Sequence, residues 1–466
     1  MRLTKIVATL GPASRAPNVL RAMVRAGLDV ARLNFSHGTP DDHRLTARRV
    51  RAAARAEGRT VALLQDLQGP RVRLGLLPGN STTLSRGQIV ELGGAELPTT
   101  VPRLLRQIEP GQRVLLRDGR IELRAERSRG GTVRCVVVRG GDVPTHAGKN
   151  LPDTRLDLAA FTTKDRRDLL LGAELRADAV ALSFVRNAGE VEAVRRRCAA
   201  LDWKPLLIAK IERREAIENL DALLRAADGV MVARGDLGVE LGPEAVPLLQ
   251  KKIVRRAIQS HAFVITATQM LESMLEEPAP TRAEVSDVAN AVLDGTDAVM
   301  LSGETAIGAW PVEAISVMDR VVRRVEAECP FELAPEARPA APADDFLYAL
   351  SAAAVRLAEQ SGASALIPFT TTGRTAEIIA TYRPRMPILA CTPDAATQGK
   401  LHFWRGVRPL VQRNHADLEH TFAAGITSAA SAGLVRTGDA VVLIGGQAMQ
   451  CGGSNMVKIV RVGARR

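Results

Sequence analysis

Aromatic residues are scarce in this chain. They make up 3% of 466 residues, which leaves few platforms on which nucleic-acid bases could stack. Cysteine is sparse too: Cys135, Cys198, Cys329, Cys391 and Cys451 lie far apart, with no CxxC spacing. That scatter argues for isolated thiols in a reducing compartment, and against a disulfide framework or a zinc site. No run of about 18 apolar residues occurs, so no membrane partner or membrane-spanning helix is expected. Strand-like sequence starts at Thr4. That leaves no room for a signal peptide, and a cytoplasmic location is expected.

What is present suits a packed, multi-domain protein. Hydrophobic residues reach 46%, and the length exceeds what one core usually fills, so two or three domains are expected. The formal charge is +12. Its arginines are spread along helix faces, as at Arg195, Arg196 and Arg197, or Arg320, Arg323 and Arg324. Such a surface attracts anionic metabolites but names no specific nucleic-acid partner.

Eight short apolar runs recur in the first two-thirds of the chain. They are TKIVATL, DVARLNF, VALLQDL, AVALSF, LLIAKI, GVMVA, FVITAT and AVMLSG, most of them separated by helical periodicity. A parallel strand covered on both faces reads as such a run. Eight βα units in one layer predict a closed (β/α)₈ barrel, in which chemistry sits at the C-terminal strand ends. Polar residues collect at those ends: Arg32 and Asn34, Asp66, Lys210 and Glu212, Asp236, Thr268, Ser302 and Glu304. Two carboxylates and a lysine on neighbouring strands are the parts needed to hold a divalent metal and a phosphate-like anion. One polar strand end would suit an ordinary solvated sheet; a whole set does not.

The barrel pattern is interrupted once. After Arg73, short alternating runs (TTLSRGQIVEL, QRVLLRDGRIEL, GTVRCVVVRGG) replace the helical period and predict a small antiparallel β module. Hung over the strand ends, it would act as a lid. A Pro- and Ala-rich stretch from Pro330 to Asp345 reads as a linker, and the tail beyond it predicts an α/β open sheet with strands ALIPFT, PILACT, DAVVLIGG and MVKIVRV. The expected division is 1–72 with 146–332 for the barrel, 73–145 for the lid, and 344–466 for the C-terminal domain.

The segments TKIVATLGPASR, ARLNFSHG, IAKIE, MVARGDLGVE, ATQMLESM, PTRAEVSDVANAVLDGTDAVMLSGETA and PVEA together closely resemble the pyruvate kinase family, in that family's order and spacing. The resemblance covers nearly the whole chain. It implies phosphoryl transfer from phosphoenolpyruvate to ADP, giving pyruvate and ATP as the last step of glycolysis, by a homotetramer. It also implies roles. Glu212 and Asp236 match Mg²⁺ ligands, with Mn²⁺ an alternative. Lys210 matches the lysine that stabilises the moving phosphoryl group and the enolate. Arg32 and Arg73 match phosphate-binding arginines, and Arg15, Asn34 and Arg73 fall on the nucleotide side. Gly235, Asp236 and Thr268 match substrate contacts, with Thr268 beginning a proton relay through water, Ser302 and Glu304. Asn34, Ser36, Asp66 and the Leu67 carbonyl match a K⁺ site.

The chain departs from the family at LLQDLQGPRVR. Leu67, Gln68 and Arg71 stand where many members have Thr, Lys and Glu. A guanidinium at Arg71 inverts a charge near the K⁺ site and can replace the monovalent cation, so activity without added K⁺ is expected. In THAGKNLPD the usual lysine pair is missing and Lys149 is displaced, while Asp118 matches an acidic lid residue. Asp29 replaces a common asparagine, and His37 reads as structural. The segment Thr370, Thr371, Thr372, Gly373, Arg374, Thr375 ends a strand and opens a helix, which suits a phosphorylated allosteric effector. The loop GGQAMQCGGSN that would face it lacks a cation. Two other readings stay open: a lyase or aldolase acting on pyruvate-like ligands in the same barrel, and a catalytically idle binding protein.

Overall fold

The computed structural model describes residues 2–155, 158–329, 331, 339, 345–413, 417–446 and 454–463. Most of the expected linker and the loop residues 447–453 lie outside the described residues.

Eight parallel strands close into a barrel: Lys5–Leu10, Val30–Asn34, Ala62–Asp66, Ala179–Leu182, Leu206–Ile211, Gly229–Ala233, Phe263–Ala267 and Ala298–Leu301. They are the eight apolar runs read from the sequence. The strands are buried along nearly their whole length, because helices cover the outside and side chains fill the inside. Helix starts are locally encoded. Thr39 with Asp42, Thr162 with Asp165 and Thr281 with Glu284 each form a reciprocal capping box.

The floor of the barrel repeats one device. An aspartate just before every second strand accepts a backbone N–H from the preceding strand. Asp29 takes Ile6, Asp178 takes Leu63, Asp228 takes Leu207 and Asp297 takes Val264, at 2.7–3.0 Å. Asp29 thereby gains a role that the sequence had not suggested. It also faces the Arg2 guanidinium at 2.8 Å. Burial alone would raise its pKa, but Arg2, Lys5 and the Ile6 N–H hold it well below the usual carboxylate range.

The inserted module contains two antiparallel sheets. One runs in the order Lys149–Asn150, Arg113–Leu116, Ile121–Arg129, Thr132–Arg139, Ile89–Leu92, and the other pairs Ser81–Leu84 with Gly141–Pro144. The expected boundary at residue 145 falls inside this module, since Lys149 and Asn150 still pair with Leu116 and Leu115.

The C-terminal sheet runs Val407–Val411, Ile388–Thr392, Ala365–Pro368, Ala440–Gly445, Met456–Arg461, parallel except for the last pair. The strand Val407–Val411 was missed in the sequence because Arg408 and Pro409 break its apolar run. It lies at the sheet edge, where a proline costs no ladder bond. This domain packs on the barrel floor. Phe263 of the seventh barrel strand meets Phe403 and Trp404, with ring centroids 5.5 and 5.4 Å away. Lys5 donates to the Val407 carbonyl across the same seam.

Candidate active site

The C-terminal strand ends open into a cavity of about 430 Å³, roofed by the lid. Arg32, Asn34, Ser36, Asp66, Lys210, Glu212, Asp236 and Thr268 line it from the barrel side; Asp118, His146 and Lys149 line it from the lid, and Arg71 and Arg73 from the connection.

The centre is a buried charge chain. Arg32 Nε donates to Asp66 Oδ2 at 2.7 Å, and its Nη1 donates to Thr9 Oγ1. Lys210 Nζ lies 3.4 Å from Asp66 Oδ1 and 2.8 Å from Glu212 Oε1. Burial alone would lower the Lys210 pKa, but Asp66 and Glu212 raise it above the ordinary lysine value. Burial would likewise raise that of Asp66, but Arg32 and Lys210 hold it below the usual carboxylate range. Lys210 also donates to Ser183 Oγ, whose hydroxyl in turn donates to the Leu67 carbonyl. Ser183 was not singled out in the sequence; its one signal is a hydroxyl at the end of AVALSF.

Glu212 Oε2 accepts the Phe184 N–H at 2.7 Å. Its Oε1 is buried and makes no hydrogen bond; the Lys210 ammonium sits near it without hydrogen-bonding geometry. Asp236, on the helix Arg234–Leu241, is pushed up to about 7 by burial and by the Glu212 charge, against the pull of Lys210. A carboxylate oxygen without a hydrogen bond, beside a carboxyl whose pKa stays raised despite Lys210 and Arg71, fits a divalent cation. Among the described residues no three His, Cys, Asp or Glu side chains cluster as a metal site.

Thr268 has φ 69° and Gln269 φ 53°, a left-handed pair that non-glycine residues adopt rarely. Arg234 holds them there, donating to the Ala267 and Thr268 carbonyls while pairing with Asp287 at 2.7 Å. Thr268 Oγ1 accepts the Gly235 N–H at 2.8 Å, so that amide is engaged within the protein. Glu304 accepts Leu271 N–H and Ser302 N–H, and so ties the loops after the seventh and eighth strands together. Ser302 and Glu304 stand outside the cavity lining, as does Arg15, which pairs on the surface with Asp42 at 3.3 Å.

The turn carrying Gln68 and Arg71 depends on Gly69. Its φ is 67°, and a Cβ there would come within 2.9 Å of the Ser183 side chain. Arg71 lines the cavity; burial and the neighbouring Arg73 lower its pKa, against Asp236, Glu212 and Asp118, which favour its charge. Of the K⁺ set, Asn34, Ser36 and Asp66 line the same cavity and Leu67 lies behind it. Lys149 is buried and donates to Thr99 Oγ1; burial lowers its pKa to about 8.

In the C-terminal domain, Gly373 has φ 94° and donates to Thr370 Oγ1, and Thr375 bonds Ser454 at 3.1 Å. The Thr371 carbonyl accepts from Thr397, Thr372 is exposed, and Arg374 pairs with Asp345.

The fold and this charged, roofed cavity define a lidded (β/α)₈-barrel enzyme with a C-terminal α/β domain. The pyruvate kinase barrel-domain family matches residues 1–315, and the pyruvate kinase alpha/beta-domain family matches residues 348–460. "Pyruvate kinase 2" of Synechocystis sp. is 42% identical over 98% of this chain and 79% of its own. The "Pyruvate kinase" proteins of Agrobacterium vitis and Mycobacterium tuberculosis are each 40% identical over 99% of this chain, covering 97% and 99% of their own lengths. The chain belongs to the pyruvate kinase family. Its enzyme class is therefore a phosphotransferase with phosphoenolpyruvate and ADP as substrates.

Proposed function

We propose that this chain carries out Mg²⁺-dependent phosphoryl transfer from phosphoenolpyruvate to ADP with the cavity residues in the following roles. The observation that carries the proposal is the buried chain Arg32–Asp66–Lys210–Glu212 ending beside Asp236. A Mg²⁺ held by Glu212 and Asp236 would supply the charge that neutralises phosphoryl oxygens and the developing enolate. Arg32 and Arg73 bind the phosphate, and Lys210 stabilises charge on the group in flight and on the enolate oxygen. Asp66 keeps both cations oriented. Backbone N–H groups of the segment that Gly235 and Asp236 open hold the substrate carboxylate, with the Gly235 N–H itself held by Thr268. Asn34 and Arg73 face the diphosphate, and Arg15 reaches it from the rim. The P–O bond to the enolate breaks as one forms to the β-phosphate of ADP, and the enolate carbon then takes a proton. Thr268 already donates to the Ala267 carbonyl, which supports delivery by a water held at Thr268, with Ser302 next along the relay and Glu304 orienting it.

The barrel, the inserted module and the C-terminal segment 344–466 serve as catalytic domain, lid and regulatory domain of a homotetramer. Arg71 supplies the charge otherwise brought by K⁺ at Asn34, Ser36, Asp66 and the Leu67 carbonyl. The loop Thr370 to Thr375 receives a phosphorylated effector. Initial rates in a lactate-dehydrogenase-coupled assay test the reaction. Pyruvate should form only with phosphoenolpyruvate, ADP and Mg²⁺ or Mn²⁺ together. Pyruvate release without ADP, or without ATP gained, would reject it.

A further inference from the structure

Glu240 lies one helical turn beyond Asp236 on the helix Arg234–Leu241, and is 4% exposed. Residues four apart share a helix face, and both line the cavity. Across the cavity wall its Oε1 sits 3.6 Å from Nη2 of Arg213, the residue that follows Glu212 directly. The Arg214 backbone N–H favours the same carboxylate. Glu240 Oε1 and Arg213 Nε are both buried without a hydrogen bond, although Arg213 Nε lies 3.4 Å from Glu215. Burial raises the Glu240 pKa and Arg213 pulls it back, so the buried carboxylate and the buried guanidinium each depend on the other. The pair thus joins the strand end that carries Glu212 to the helix that carries Asp236.

We infer that Glu240 is a positioning residue: through Arg213 and the Arg214 amide it fixes the spacing of Glu212 and Asp236, and so sets the affinity for the divalent cation. The inference rests on the proposed roles of Glu212 and Asp236. Partners of this kind, holding ligands from behind, typically change metal affinity by about 10–100-fold when lost.

The test is Mn²⁺ binding to the full-length protein, followed by electron paramagnetic resonance without substrates. Wild type should bind. Absence of binding would defeat the assignment of Glu212 and Asp236 and not merely this inference. Glu240→Ala should raise the Mn²⁺ dissociation constant at least tenfold, with the same rise in the Mn²⁺ concentration needed for half-activity. Its kcat at saturating Mn²⁺ should fall by less than threefold. Glu240→Gln, which keeps an acceptor for the Arg214 N–H, should recover most of the affinity. Arg213→Gln attacks the pair from the other side and should weaken Mn²⁺ in the same direction, which keeps the test open if Glu240→Ala fails to fold. Mn²⁺ affinity within twofold of wild type in folded Glu240→Ala or Arg213→Gln overturns the inference. So does a hundredfold loss of kcat at unchanged affinity, since that would make Glu240 a catalytic residue.

Discussion

Arg383 grips Asp297 through two 2.7 Å hydrogen bonds, and both side chains are sealed from solvent. Arg383 follows the helix that begins at the Gly373 loop; Asp297 precedes the last barrel strand and also accepts Val264 N–H. The pair therefore pins the C-terminal domain to the barrel floor. Removing one partner leaves a buried charge uncompensated, which costs about 3–5 kcal/mol. Arg383→Met should lower unfolding stability by that order in urea titrations against wild type. A loss below about 1 kcal/mol would mean that Asp297 finds enough support in Arg405 N–H and Val264 N–H alone.

Lys210→Met should reduce turnover at least a thousandfold, because it deletes the cation facing both the phosphoryl group and the enolate. It should also lower the melting temperature, since Asp66 and Glu212 each lose a buried partner. The coupled assay and thermal unfolding, run on the same preparation, read both effects. Turnover within tenfold of wild type would remove Lys210 from the reaction.

Arg71 makes a prediction about salt. Turnover in tetramethylammonium buffer should match that with K⁺, and Arg71→Glu should create a K⁺ requirement. A hundredfold drop for wild type without K⁺, about 2.7 kcal/mol of transition-state stabilisation, would show that the guanidinium does not stand in for the ion.

Two floor aspartates should respond to pH with opposite signs. Asp178 is raised to about 6 by burial and has only weak cationic relief from Arg51 and Lys400. Its folded pKa thus exceeds the unfolded value near 3.8, and the native state holds the extra proton between those pH values. Stability from this group falls as pH rises through about 4 to 6, and the penalty is complete above it. Asp178→Asn should be more stable than wild type at pH 7 by up to about 3 kcal/mol, with the gain vanishing near pH 4. Asp29 is depressed, so its contribution is present above about pH 4 and lost on acidification. Asp29→Asn should destabilise at pH 7, and progressively less as pH falls. Melting temperatures from pH 2 to 8 check both slopes, that of Asp178 between about pH 4 and 6 and that of Asp29 below about pH 4.

The eight barrel strands, the lid and the alternating C-terminal units were legible because each is written in local periodicity. So were the cavity residues Arg32, Asp66, Lys210, Glu212, Asp236 and Thr268, since a parallel strand shows its active end where its apolar run breaks into polarity. The edge strand Val407–Val411 was hidden by Arg408 and Pro409, which an edge tolerates and a central strand does not.

The local order of apolar and polar residues determined the barrel, the inserted sheet and the polarity of the strand ends, because pleat and helical turn repeat every few residues. Tertiary structure alone decided the partners. Asp29 meets Arg2, Arg383 meets Asp297, Glu304 bridges two loops, Glu240 faces Arg213, and Arg15 turns to Asp42 on the surface. Most of these pairings span tens of residues. They depend on strand register and domain docking, which fix where a charge finds its counter-charge and leave no periodic trace in the chain.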